Sequence, residues 1–205
     1  GSTFKVNAPR YTDSLAKGLV GSWSFDGADM SATKAHDRSG NGNDGVLTNG
    51  PVAVKGRIGQ ALEFDGGNDK VDVGSGSSLS LSTSITVSVW AYPTSFANEA
   101  KAVLSKDANN TSSRNYSLYL NQTTGTAVFN FTQGLDQFKG VASITALPLN
   151  TWSHISVTYD GAYIRIYING KLDNSAAQTG GMDTTSSSAT IGSWTDFATQ
   201  KFWGG

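Results

Sequence analysis

The chain has 205 residues, enough for one domain with a sizeable buried core. A net charge of -1 with only 15% charged residues leaves no basic stripe for neutralising nucleic-acid phosphates, and no apolar run approaches the ~20 residues of a membrane-spanning helix. Cysteine is absent, which excludes a disulfide framework and any thiolate metal site.

The opening Gly1-Ser2 reads as a tag remnant, and residues 3–17 (TFKVNAPRYTDSLAK) are polar and patternless. Residues 1–17 are therefore expected to be a leader or linker ahead of one domain over 18–205. Beyond them the pattern is period two, the signature of half-buried strands. Short runs of this kind are expected to form strands at 19–25, 60–64, 69–73, 85–92, 102–105, 115–120, 126–131, 139–146, 152–159, 163–170 and 189–192. In ITVSVWAY (85–92), Ile85, Val87, Val89 and Ala91 point one way, and Thr86, Ser88, Trp90 and Tyr92 the other. Asp160-Gly161 and Asn169-Gly170 sit between alternating runs, where residues tolerant of positive φ suit type I′ hairpins. Residues 152–176 thus read as a three-strand meander, and DTTSSSA (183–189) as a mobile loop. More than ten short strands at near-regular spacing predict an all-β, antiparallel two-sheet sandwich.

Six segments then fall in a telling order: GLVGSWSFDG (18–27), HDRSGNGNDGVLTNGP (36–51), GRIGQALEFDGGNDKVDV (56–73), ITVSVWAYP (85–93), LPLNTWSHISVTYDG (147–161) and IRIYINGKL (164–172). Together they resemble the bacterial laminin G-like, concanavalin A-like jelly-roll domain, related in fold to pentraxins and legume lectins. The resemblance covers residues 18–205. It implies a jelly roll whose usual final strand would follow FWGG (202–205), so that an extended segment from the same parent protein, or from another chain, would complete the sheet. It also implies an extracellular or cell-surface setting, with any secretion signal lying outside this sequence.

Glycosidases of this fold carry an acid-x-acid-x-(x)-acid run on one strand, where side chains two apart can flank one glycosidic bond. Here Glu63 and Asp65 fill the first two places, but positions 67 and 68 are Gly and Asn, and Gly66-Gly67 interrupts the strand. The two histidines, His36 and His154, are far apart in sequence and no nucleophile elbow occurs. A non-catalytic role is expected.

HDRSGNGNDG (36–45) contains no apolar side chain. From Asp37 it reads D-x-S-x-N-G, the first half of an EF-hand loop, but the twelfth position is Thr48 where a bidentate Glu belongs. Two readings stay open: an Asx-type turn in which Asp37 and Asn41 bond the nearby backbone, or part of a calcium site. The resemblance implies a structural calcium tying the end of the first strand to this loop, with Asp26, Asp37, Asn41, Gly42 and Asp44 as candidate ligands.

Sugar binding needs an aromatic platform beside polar groups. Trp23, Trp90 and Trp152 lie inside alternating strands and read as core or sheet-face packing. Trp194 and Phe197 lie in a loop-like stretch, Phe96 and Asn98 in the TSFANEA connection, and Phe138 in FTQGLDQFKG, so these are the candidate ligand residues. The expected function is a recognition or adhesion module with carbohydrate as the candidate ligand. The alternative is a structural or assembly module completed by a further strand, and a glycoside hydrolase stands third.

Overall fold

The computed structural model describes residues 17–96, 100–108, 113–134 and 137–194. The stretch expected as a leader lies outside them apart from Lys17. Fourteen strands occur among the described residues. The first seven are β1 (Lys34–Ala35), β2 (Gly45–Thr48), β3 (Val52–Lys55), β4 (Gln60–Glu63), β5 (Lys70–Gly74), β6 (Ile85–Ala91) and β7 (Lys101–Ala108). The rest are β8 (Ser113–Leu120), β9 (Thr126–Thr132), β10 (Phe138–Ala146), β11 (Ser153–Tyr159), β12 (Tyr163–Ile168), β13 (Lys171–Ala177) and β14 (Ala189–Ile191).

They form an eight-stranded sheet in the order β1-β2-β5-β14-β7-β8-β9-β10, a four-stranded sheet in the order β13-β12-β11-β6, and a separate β3-β4 hairpin. Every strand pair is antiparallel. The protein is the expected all-β jelly-roll sandwich.

Side-chain parity builds the core. Leu118, Leu120, Phe129 and Phe131 of the large sheet and Ile155, Val157, Ile164 and Ile166 of the small one are all fully buried in one cluster. Phe131 meets Tyr159 across the layers with ring centroids 4.8 Å apart. On β6 the predicted alternation holds: Ile85 and Ala91 are buried, while Thr86, Ser88 and Trp90 are exposed. The meander β11-β12-β13 forms as expected, and Asn169 and Gly170 take φ of 51° and 79°, as a type I′ turn requires.

Three details depart from the sequence reading. At Asp160-Gly161 only the glycine has positive φ. The loop is wider than a type I′ turn, and Asp160 Oδ1 accepts from the Ala162 and Tyr163 N–H groups at 2.9 and 2.7 Å. Residues 19–25 make no strand. Phe25 at φ 58° ends their extended run, and their carbonyls at Leu19 and Val20 accept from the Asn41 and Asn43 side-chain amides instead of from a neighbouring backbone. Finally, Asn115 is an extra residue between the pairs Lys106↔Tyr116 and Asp107↔Arg114. This bulge turns Arg114 to the outer face of the large sheet, where it shares Asn130 Oδ1 with Ser117.

One flank of the sandwich is closed by side chains. Asp173, the extra residue of a bulge in β13, accepts from the Ile144 and Thr145 N–H groups where β10 loses register with β9. Its neighbour Asn174 donates to the Ala142 carbonyl at 2.8 Å.

Phe131→Ala is expected to cost about 3–5 kcal/mol, because it removes a buried ring and leaves a cavity between the layers. Urea unfolding followed by circular dichroism measures it, and a loss below about 1 kcal/mol would show that this contact does not hold the layers together.

Candidate functional site

The oxygen-rich loop is a hydrogen-bonded latch. Asp37 Oδ1 accepts from Ser22 N at 3.0 Å and Ser39 N at 2.9 Å, and Oδ2 accepts from Ser39 Oγ at 2.7 Å and Asn43 N at 3.0 Å. The Ser39 bond is an Asx turn. Asp44 Oδ1 takes the Asp37 N–H at 3.0 Å, and its Oδ2 lies 3.2 Å from His36 Nδ1. Asn43 reaches Val20 O and Ser78 Oγ, and its own carbonyl accepts from the Trp23 indole at 2.9 Å. Asn41 donates to Leu19 O at 2.9 Å, and Gly42 supplies the turn with φ 75°.

Asp26 is employed elsewhere, its Oδ1 accepting from Gln60 N at 2.7 Å against the bare Cα of Gly59. Four of the five candidate calcium ligands thus share one loop, and Asp26 anchors the β3-β4 hairpin. Among the described residues no three Asp, Glu or His side chains converge as a metal centre. The Asp37 carboxylate has its acceptor capacity filled by N–H and O–H donors, an arrangement that satisfies it without a cation.

The predicted aromatic residues separate. Trp194 is buried, at 5% exposure, so its ring is a packing element and not an open loop platform. It lies 5.2 Å from the Tyr119 ring and 4.9 Å from the Arg114 guanidinium. Phe138, half exposed, stands 5.1 Å from the same guanidinium, so the structure brings these two candidates together around a cation. Arg114 is also paired with Asp107 at 2.9 Å. Nothing local in the chain signals this pairing, since Trp194 reaches Arg114 through the sheet order β14-β7-β8. Phe96 is half-buried over Gly125, where a Cβ would come within 2.7 Å of its ring. Phe197 and Asn98 lie outside the described residues.

Glu63 is the exposed last residue of β4. Asp65 belongs to the following turn, where it accepts from Gly67 N at 2.7 Å and Asn68 N at 3.1 Å. Leu62 and Phe64 are buried while Glu63 and Asp65 are exposed, so the strand alternation runs through both acids, but the chain turns at Gly66, φ 75°, and positions 67 and 68 carry no acid.

An opening that sequence reasoning did not identify lies between the sheets, beside β6. It is a cavity of ≈ 370 Å³ with buried apolar walls that include Leu62, Phe64, Ala91 and Val103. Its solvent-reaching lining includes Trp90, Tyr92 and Trp152, with Lys55, Glu63 and Thr94. The aromatic residues come in two pairs: Trp90 with His154, centroids 5.2 Å apart, and Tyr92 with Trp152, 5.3 Å apart. His154 Nε2 lies 2.8 Å from Ser88 Oγ, and the Arg57 guanidinium sits 5.6 Å from the Trp90 ring centre. The signal was present in the parity of β6, where Trp90 and Tyr92 share the polar face with Thr86 and Ser88.

Two antiparallel sheets closing on a dry core, with an aromatic-lined opening at one flank, define a jelly-roll sandwich of the lectin type. The profile of the laminin G-like family, described as the concanavalin A-like lectin/glucanases superfamily, matches residues 65–205, and the chain belongs to that family. No curated protein matches the sequence significantly. Among solved structures, domain 4 of AbnA, a GH43 extracellular arabinanase from Geobacillus stearothermophilus in complex with arabinotriose, is similar with a TM-score of 0.68 and 21% identity, over 91% of this chain and 87% of that one. A botulinum neurotoxin type C structure concerned with cell entry and two ganglioside molecules is similar with a TM-score of 0.54 and 18% identity, over 76% of this chain and 39% of that one. Domains LG4-5 of the mouse laminin α1 chain give 0.50 and 12%, over 69% and 38%. At these identities the likeness is one of fold.

Partial burial pushes the Asp37 carboxyl up, and the bonds from Ser39, Asn43 and Ser22 outweigh it, so its pKa lies below the usual 3.8. A depressed folded pKa contributes stability above the unfolded value, and that contribution is lost as pH falls through the folded pKa. Asp37→Ala is therefore expected to cost about 1–3 kcal/mol at neutral pH. Its deficit against the parent should shrink as the solution is taken below the carboxylate range, measured by denaturant unfolding at a series of pH values. With Asp37 satisfied internally, the melting temperature should be equal in millimolar calcium and in excess EDTA. A calcium-dependent rise of several degrees would establish the ion-bound loop instead.

Proposed function

We propose that this domain is a non-catalytic glycan-recognition module of a larger exported or cell-surface protein, and that the saccharide docks on Trp90, Tyr92 and Trp152 at the mouth of the cavity. The observation that carries the reading is the coincidence of two aromatic pairs with an opening of pocket size. Pyranose and furanose rings offer apolar C–H faces to indole and phenol rings, while their hydroxyls need polar groups, which Thr94 and Glu63 supply on the cavity lining and His154 and Ser88 beside Trp90. The GH43 arabinanase domain of the same fold, solved in complex with arabinotriose, supports the class of ligand. The engagement of Asp65 in its own turn supports a module without hydrolytic chemistry.

A second reading, an assembly module completed by an added strand, is favoured by one observation. Among the described residues β6 is an edge of the four-stranded sheet and runs beside the cavity. An extended segment of the parent protein pairing along β6 would satisfy its backbone groups. Mass spectrometry of the purified protein for a co-purifying peptide tests it.

For the glycan reading, calorimetric titration with arabino-, gluco- and galacto-oligosaccharides is expected to find a ligand. Trp90→Ala and Trp152→Ala should each weaken it about ten-fold or more with the circular dichroism unchanged, as loss of a stacking platform does. Full affinity in both variants would remove the cavity mouth as the site.

A further inference from the structure

We infer that the ligand held at the Trp90 platform is an acidic saccharide whose carboxylate is taken by Arg57. This rests on the glycan reading above and adds the charge of the sugar to it.

The described residues contain four arginines. Three hold a carboxylate: Arg38 with Asp29 at 3.2 Å, Arg114 with Asp107 at 2.9 Å, and Arg165 with Asp160 at 2.6 Å. Arg57 differs. It is exposed, and among the described residues its side-chain partner is the indole of Trp90. Among the described residues no carboxylate oxygen comes within 4.0 Å of it or of Lys55. A guanidinium resting on an aromatic ring keeps its N–H donors in its own plane, where they match the two oxygens of a carboxylate.

The backbone holds Arg57 in place. It sits at the tip of the β3-β4 hairpin, where Gly56 N donates to Gly59 O at 3.0 Å and Gly59 takes φ 62°. Asp26 clamps the next residue, Gln60, through its N–H. A Cβ at Gly56 would come within 2.8 Å of the Gln60 backbone, so the tip is closely packed upon itself. The cation is therefore presented on a fixed turn beside the aromatic mouth.

The other charges at the mouth agree. Lys55 lines the cavity at the tip end of β3, opposite Gln60. Glu63, the acid on the lining, is three residues further along β4 from Gln60, about 10 Å away at the rise of an extended strand. That exceeds the screening length of about 8 Å at physiological ionic strength, so Glu63 is screened from the tip, and the carboxylate that does lie there, Asp26, has its Oδ1 engaged by the Gln60 N–H. A ring stacked at the mouth with its carboxylate toward the hairpin tip meets Arg57 and Lys55 and keeps clear of Glu63.

The test uses the intact chain and matched pairs of probes in calorimetric titration: trigalacturonate against galactotriose for a uronate, and 3′-sialyllactose against lactose for a sialate. In at least one pair the acidic member should bind about ten-fold tighter or more at low salt, the scale of a charge-assisted hydrogen bond. Its preference should fall as salt is raised. Arg57→Gln should erase that preference and leave the melting temperature unchanged. Which pair responds identifies the source of the carboxylate. Equal binding of acidic and neutral members would overturn the inference while leaving the glycan reading in place, and so would a preference that survives Arg57→Gln. Silence in every pair, and also with arabino- and gluco-oligosaccharides, would overturn both.

Discussion

Between the two sheets the interior is dry, and that dryness decides the placement of nearly every other group. Leu118, Phe129 and Phe131 on one layer and Ile155, Val157 and Ile166 on the other fill it with apolar side chains, and the hydroxyls of the core tyrosines Tyr116 and Tyr159 bond to the Leu79 and Gly180 carbonyls. Because strand side chains alternate, fixing one face as core fixes the other as available for chemistry. Trp90 is outside because Val89 and Ala91 are inside. Where a group must change face, the chain inserts a residue: the bulge at Asn115 turns Arg114 outward without disturbing Tyr116 and Leu118. The displaced Asn115 stays buried, its amide donating to the Leu81 and Asp183 carbonyls and accepting from Leu81 N.

Around this interior, side chains do much of the work usually left to backbone ladders. Asp37, Asn41 and Asn43 bind the backbone of residues 19–22, and Asp26 fixes the β3-β4 hairpin. The abundance of Asn, Asp, Ser and Gly is therefore more than a mark of loops. It supplies short donors and acceptors that finish edges the sheets leave open, and the backbone groups they satisfy would each otherwise lose a hydrogen bond within the protein.

This division explains what could be read in advance. The sandwich, the meander and the Asn169-Gly170 turn were legible, because parity and turn chemistry are local. Residues 19–25 alternate like a strand, yet most of their partners are side chains of the 37–43 loop, joined by the Arg38 N–H at the Ser22 carbonyl, and no window over them contains that information. Trp194 has the composition of a loop around it, but the strand order, which is not sequential, delivers it to Tyr119 and Arg114. For Trp90 the outward face was legible from β6 alone. The opening beside it was not, since that requires the hairpin carrying Leu62 and Glu63 to come against β6.

The staple at Asp173 and Asn174 gives the molecule a mechanical polarity. On that flank the layers are cross-linked by carboxylate and amide, and neither can slide against its opposite. The other flank, along β6, has the void and a hairpin that belongs to neither sheet. A group that fills the free margin therefore packs where the two layers lack that cross-link.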